Sequence, residues 1–257
     1  MQNSILPELL IAAALFLGML AAAEGGYRFG VRRRQDRETD PNHAAVLGAV
    51  LGLLALLLGF AFAGATSRFI ERQGIIVSEA NAIGTAALRA DLLPDAARAE
   101  MRSGLRAYTQ DRLTLFHETN AAASVEIERQ LAKRHAEMWD VAIASVKANP
   151  AITNAVLPPL NEIIDLLAVR DAASHKHLPM PVLFLLTACA LVALFSVGQS
   201  QGLVGSHRRS SVFALAFLVA GSLWITIDLD HPRRGLIRMS AVPLETALDA
   251  LSHEAPK

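Results

Sequence analysis

Few residues in this chain have both the type and the spacing to do chemistry, and those that do sit at the edges of apolar blocks. Asp228, Asp230 and His231 fall together at the end of the fourth block. Their carboxylates could offer oxygens to a hard cation such as Ca2+. The plainer expectation is an ion pair between Asp230 and Arg233 or Arg234. His175 and His177 flank Lys176, but side chains two apart do not share a helical face. Pro179 follows, so this stretch reads as a loop. No metal site and no cofactor are expected. Cys189 is the single cysteine, which excludes an intrachain disulfide and a cysteine-rich zinc site. Inside the third apolar block it reads as a small apolar residue. The chain has no glycine-rich phosphate loop, no Gly-x-Ser-x-Gly turn and no His-Glu-x-x-His pair, so no enzyme is expected.

A second polar group follows the second apolar block. Arg68 and Arg72 are four apart and share a helical face. At a membrane edge they either anchor the helix by snorkelling or concentrate positive charge. Glu79, Asn81 and Arg89 lie along an apolar stripe of Ile76, Ala80, Ile83 and Ala87. They read as structural polar residues, with Glu79 and Asn81 hydrogen-bonding to Arg89 or to a later helix.

The elements that must position these residues follow from hydropathy. Of the 257 residues, 53% are hydrophobic and 19% charged, and the net charge is zero. The charge balance gives no argument for nucleic-acid binding. Apolar residues gather in four blocks, and a spanning helix needs about 20 such residues. The expected membrane helices are 5–23, 44–65, 181–197 and 212–229. The first block resembles a signal peptide at Ala21-Ala22-Ala23, but its start, Met1-Gln2-Asn3-Ser4, carries no positive side chain, so a retained helix is expected. Asp40-Pro41-Asn42 marks the start of helix two. Within it, Gly48-x-x-x-Gly52 has the spacing of a close helix contact. Lys and Arg near the spans count seven against seven on the two sides, so the positive-inside rule leaves the orientation open.

Between helices two and three lies a charged, helical, water-exposed insert, residues 66–178. Its first helix breaks at Pro94-Asp95. Further helices are expected at 96–118, at 124–147 with Ser124 at its start, and at 159–174. A polar tail, 230–257, carries a short amphipathic helix at 243–251. The fold class is an all-α membrane protein with four transmembrane helices and a large helical soluble insert. Its domains are 1–65 (helices one and two), the insert 66–178, 179–229 (helices three and four) and the tail.

Leu57-Leu58-Gly59-Phe60, Ala65-Thr66-Ser67-Arg68-Phe69-Ile70-Glu71-Arg72 and Glu79-Ala80-Asn81-Ala82-Ile83 resemble bacterial bestrophins, in which a second membrane helix runs straight into a long cytosolic helix. More closely, the chain is similar to the bacterial bestrophin-like membrane family, a domain of unknown function. That resemblance rests on Leu88-Arg89-Ala90-Asp91-Leu92-Leu93-Pro94, on Leu160-Asn161-Glu162-Ile163-Ile164-Asp165, on His177-Leu178-Pro179, and on the run from Asp230 to Ser240. Phe69-Ile70 replace the Trp residues typical of bestrophins after the junction.

The resemblance implies a homo-oligomer, a pentamer, in a bacterial inner membrane. Five second helices would surround an anion pore, and both termini would be cytosolic. Gly52, Leu56 and Phe60 would line the pore, and Arg68 and Arg72 would supply the charge at its mouth. Chloride or another anion would be the permeant partner. The alternative is a membrane-anchored sensor or scaffold whose insert binds a partner.

Overall fold

The computed structural model describes residues 5–34, 41–206, 208–231 and 236–253. Asp40, Arg37, Arg233 and Arg234 lie outside the described residues, and with them the cap expected for helix two and the partners expected for Asp230. Eight α-helices are described: α1 (Ile5–Arg33), α2 (Pro41–Arg89), α3 (Asp95–His117), α4 (Ala121–Ala148), α5 (Thr153–His175), α6 (Met180–Val204), α7 (Arg209–Asp230) and α8 (Val242–His253). Four stretches of helix, within α1, α2, α6 and α7, are long and apolar enough to cross a membrane. The fold is all-α, as expected.

Several helices run further than their apolar blocks. α1 continues past Ala23 through Arg28 and Arg32, where Glu24 accepts from Arg28 at 2.8 Å across one turn. α2 does not stop at the membrane edge but runs unbroken for 49 residues. Gln199–Gly202, expected as part of a polar connection, form the last turns of α6. Hydropathy marks where a helix is greasy, whereas backbone hydrogen bonding continues wherever no Pro or cap intervenes.

Recognisable caps close two of these ends. Gly205, at φ +75°, closes α6 in the left-handed region that favours glycine. Asn120, and not Ser124, starts α4, its side chain accepting from the amides of Ala122 and Ala123. α5 begins at Thr153, earlier than expected, and carries Pro158 and Pro159 inside it.

The described residues form two compact units: residues 1–69 with 176–238, and residues 70–175 with 239–257. The first has a core of Met19 and Ala23 from α1, Leu54 and Ala61 from α2, Leu186, Ala190 and Leu194 from α6, and Ala216 and Leu223 from α7. Cys189 packs at its margin. Its closest approach is between α1 and α6. A Cβ at Gly26 would collide with the carbonyl of Phe195, and a Cβ at Gly198 with that of Ala23. Gly30 and Gly202 repeat the contact one turn on. Membrane helices lack a hydrophobic drive to pair and rely on such backbone proximity. The close contact therefore uses Gly26-x-x-x-Gly30 and Gly198-x-x-x-Gly202. Gly48 and Gly52, the expected motif, have open space around them.

The second unit has a core in which the stripe Ile76, Ala80, Ile83 and Ala87 of α2 joins Met101 and Leu105 of α3, Leu131 and Met138 of α4, Leu160 and Ile163 of α5, and Leu244 of α8.

Candidate functional site

In its apolar stretch, α2 buries one face through Leu54, Ala61 and Ala65. At 100° per residue, Gly52, Leu56 and Phe60 project to the opposite side. Leu56 is 55% and Phe60 67% exposed, and among the described residues nothing beyond its own stretch of helix lies within 4 Å of where a Cβ of Gly52 would stand.

Just beyond that stretch, Arg68 donates from Nε to Oδ1 of Asp230 at 2.8 Å. Asp230 is the last residue of α7 and is almost fully buried. Its Oδ2 accepts the amide of Leu178 at 2.7 Å. His177 stands beside it, Nδ1 being 3.2 Å from the Asp230 carbonyl oxygen and 3.5 Å from Oδ2. The His177 ring stacks on His231, with centroids 5.1 Å apart and planes 12° from parallel.

Sequence reasoning placed Asp228 with Asp230 and His231 and kept His177 apart. The fold does the reverse. The Asp228 carboxylate is fully buried and accepts the amides of Leu236 and Ile237 at 2.9 and 2.8 Å. His177 instead joins Asp230 and His231. No spacing signal could have found it, because the pairing closes a loop more than fifty residues long.

The second unit holds a buried charged network. Arg112 of α3 grips Glu79 of α2 through two bonds, Nε to Oε1 at 2.6 Å and Nη2 to Oε2 at 2.7 Å. The Tyr108 hydroxyl donates to Oε1 at 2.5 Å, and Arg170 of α5 approaches to 3.4 Å. Burial pushes the Glu79 carboxyl up, but the hydrogen bonds and charge of Arg112, with Arg170 and Tyr108, outweigh it and hold Glu79 below the usual carboxylate range. Burial beside that carboxylate raises the Tyr108 phenol. His135 of α4 packs on Tyr108 with ring centroids 4.8 Å apart. Burial, reinforced by the two guanidinium groups against the pull of Glu79, lowers it to about 4.

Glu79, Asn81 and Arg89 are not brought together. Asn81 is exposed. Arg89 reaches α5 and donates to the Ala155 carbonyl at 2.8 Å. Pro159, four residues on, has no N–H to offer that oxygen, so Arg89 supplies the missing donor. Arg72 is buried and donates to the Ala173 carbonyl at 3.1 Å. That oxygen lies in the last turn of α5, where carbonyls lack helical partners.

The family model for the bestrophin-like domain matches residues 13–244. The chain belongs to the bestrophin-like family. Among solved structures, a mutant of a bacterial bestrophin homologue from Klebsiella pneumoniae is similar over 94% of this chain and 95% of its own, at 16% identity and a TM-score of 0.63. A second mutant of that homologue covers 95% of each chain at 15% identity and a TM-score of 0.64. A third structure, of a mutant membrane protein, covers 94% of this chain and 99% of its own at 15% identity and a TM-score of 0.61. At such identities the likeness carries the fold alone. No curated protein matches. This bestrophin-like chain is an integral membrane protein by family and by its apolar helices.

Proposed function

We propose that this bestrophin-like protein is an oligomeric anion channel, a pentamer in the bacterial inner membrane, and a passive conduit with no catalytic step. In this reading α2 of each copy lines the pore at Gly52, Leu56 and Phe60. The observation that carries it is the two-sidedness of α2. Leu54 and Ala61 are buried within the chain, while Leu56 and Phe60 stand open on the far side. A ring of such side chains forms a neck that conducts when wetted and closes by dewetting.

Arg68 and Arg72 are the cations at the mouth in this proposal. Asp230 offsets the first, and the second is buried, so their influence on anions is through the local field and not direct contact. Residues 66–178 form the cytosolic insert, and Glu79 and Arg89 keep its shape.

The test is single-channel recording of the purified protein in a planar bilayer under a chloride gradient, with its oligomer mass in detergent. Discrete currents reversing near the chloride potential from a pentamer are expected. A folded monomer or dimer that passes no current would overturn the proposal and favour a membrane-anchored scaffold.

A further inference from the structure

We infer that a cavity between α1, α6 and α7 is a binding site for one anionic phospholipid, its phosphate at Arg209 and an acyl chain along Phe213. The cavity holds about 560 Å³, within the range of about 300–1,000 Å³ that small-ligand pockets occupy. α1 and α6 run in the same direction, since Gly26 meets Phe195 and Gly30 meets Gln199. α7 runs back against them, since Asp230 at its end meets Leu178 just ahead of α6. The cavity therefore lies where α1 and α6 run out and α7 begins.

Its lining changes character in the same sense on all three helices. On α1 it passes from Leu20 and Ala23 to Glu24, and on α6 from Gly198 to Gln201. On α7 it passes from Phe213 and Val212 to Ser210 and Arg209. Each helix thus presents carbon toward the membrane centre and polar groups at the membrane edge, which is the order of a lipid with its headgroup outward. The apolar end leads on. The Phe213 ring meets Phe16 edge-on at 5.1 Å, and Phe217 meets the same ring at 6.3 Å. Phe213 and Phe217 are 54% and 62% exposed, so an acyl chain can enter from the bilayer and lie along them.

Charge selects the headgroup. The Glu24 carboxylate is offset by Arg28 at 2.8 Å, and Arg209 stands exposed at the rim. Residues 24–43, which lead from α1 into α2, and 207–209, which lead into α7, carry seven Arg against four Asp and Glu. The chain around the polar end of the cavity is therefore positive in sum. Arg208 gives α7 no side-chain cap, and the first-turn amides of a helix add to the attraction of a guanidinium for phosphate oxygens. A zwitterionic lipid brings its own cation, which this edge repels. The inference does not rest on channel activity.

The experiment is native mass spectrometry of the delipidated protein in detergent, titrated with phosphatidylglycerol or with phosphatidylcholine of the same acyl chains. Wild type, Arg209→Gln, Ser210→Trp and Arg32→Gln are compared. Wild type should hold one phosphatidylglycerol per chain, bound at least about fivefold more tightly than phosphatidylcholine. Arg209→Gln should abolish that preference. Ser210→Trp puts bulk into the cavity and should weaken the binding of both lipids. Arg32 is exposed and does not line the cavity, so Arg32→Gln should match wild type, which separates the site from a general attraction to a basic edge. Millimolar inorganic phosphate should not displace the lipid, because the acyl chain supplies part of the hold. All three substitutions alter exposed side chains, and equal melting temperatures without lipid confirm their folds. No headgroup preference in wild type, an unchanged preference in Arg209→Gln, an equal loss in Arg32→Gln, or displacement by phosphate overturns the site.

Discussion

Arg112 and Glu79 face each other as a two-pronged pair, 2.6 and 2.7 Å across, with both side chains almost fully buried. Removing one partner leaves a charge in the core of the second unit. Arg112→Met is expected to lower stability by about 3 kcal/mol, whereas pairing it with Glu79→Leu should restore much of the loss. Thermal unfolding of the detergent-solubilised variants reads both effects.

The same network makes stability depend on pH. The folded chain holds His135 near a pKa of about 4, below the 6.5 of a free histidine. Protonation therefore favours the unfolded chain. This contribution is complete above pH 6.5, declines as pH falls toward 4, and amounts to about 3 kcal/mol at most. Glu79, also depressed, loses its contribution only below its ordinary 4.5. Between pH 6.5 and 4.5 the fall in melting temperature should accordingly shrink in His135→Phe.

Arg89 replaces an amide that Pro159 lacks. Arg89→Leu should cost about 1–3 kcal/mol, because the Ala155 carbonyl is left unsatisfied. Pro159→Ala returns an N–H within helical reach of that carbonyl, so Arg89→Leu with Pro159→Ala should melt above Arg89→Leu alone. Equal melting of these two, with Arg89→Leu also matching wild type, would show that the Arg89 bond contributes nothing.

Where α1 and α6 touch, there is no room for a side chain at Gly198. Gly198→Leu should destabilise by about 3 kcal/mol through overpacking. Gly48→Ala has open space within the chain and should leave the melting of a dissociated monomer unchanged.

In the channel reading, Phe60→Ala widens the neck and should raise single-channel current. Changing Arg68 and Arg72 together to Glu should lower the chloride-to-sodium permeability ratio, seen as a shifted reversal potential. Current unchanged in the first, or an unshifted reversal in the second, would remove those residues from the pore.

Composition and hydropathy were enough to establish four membrane helices and an all-helical insert. About 20 apolar residues in a row have one stable environment, and their backbone one way of satisfying itself there. The stripe of Ile76, Ala80, Ile83 and Ala87 likewise announced the core of the second unit, because a 3.6-residue period is local.

Tertiary structure alone decided the partners. Gly48-x-x-x-Gly52 and Gly26-x-x-x-Gly30 read alike as sequence, and only packing shows that the second meets another helix. Glu79 found Arg112, Arg89 found Ala155, and His177 joined Asp230 and His231, each across a long separation. A polar side chain takes whatever donor or acceptor the folded chain brings near it. That proximity is set by how helices pack, and no local pattern encodes it.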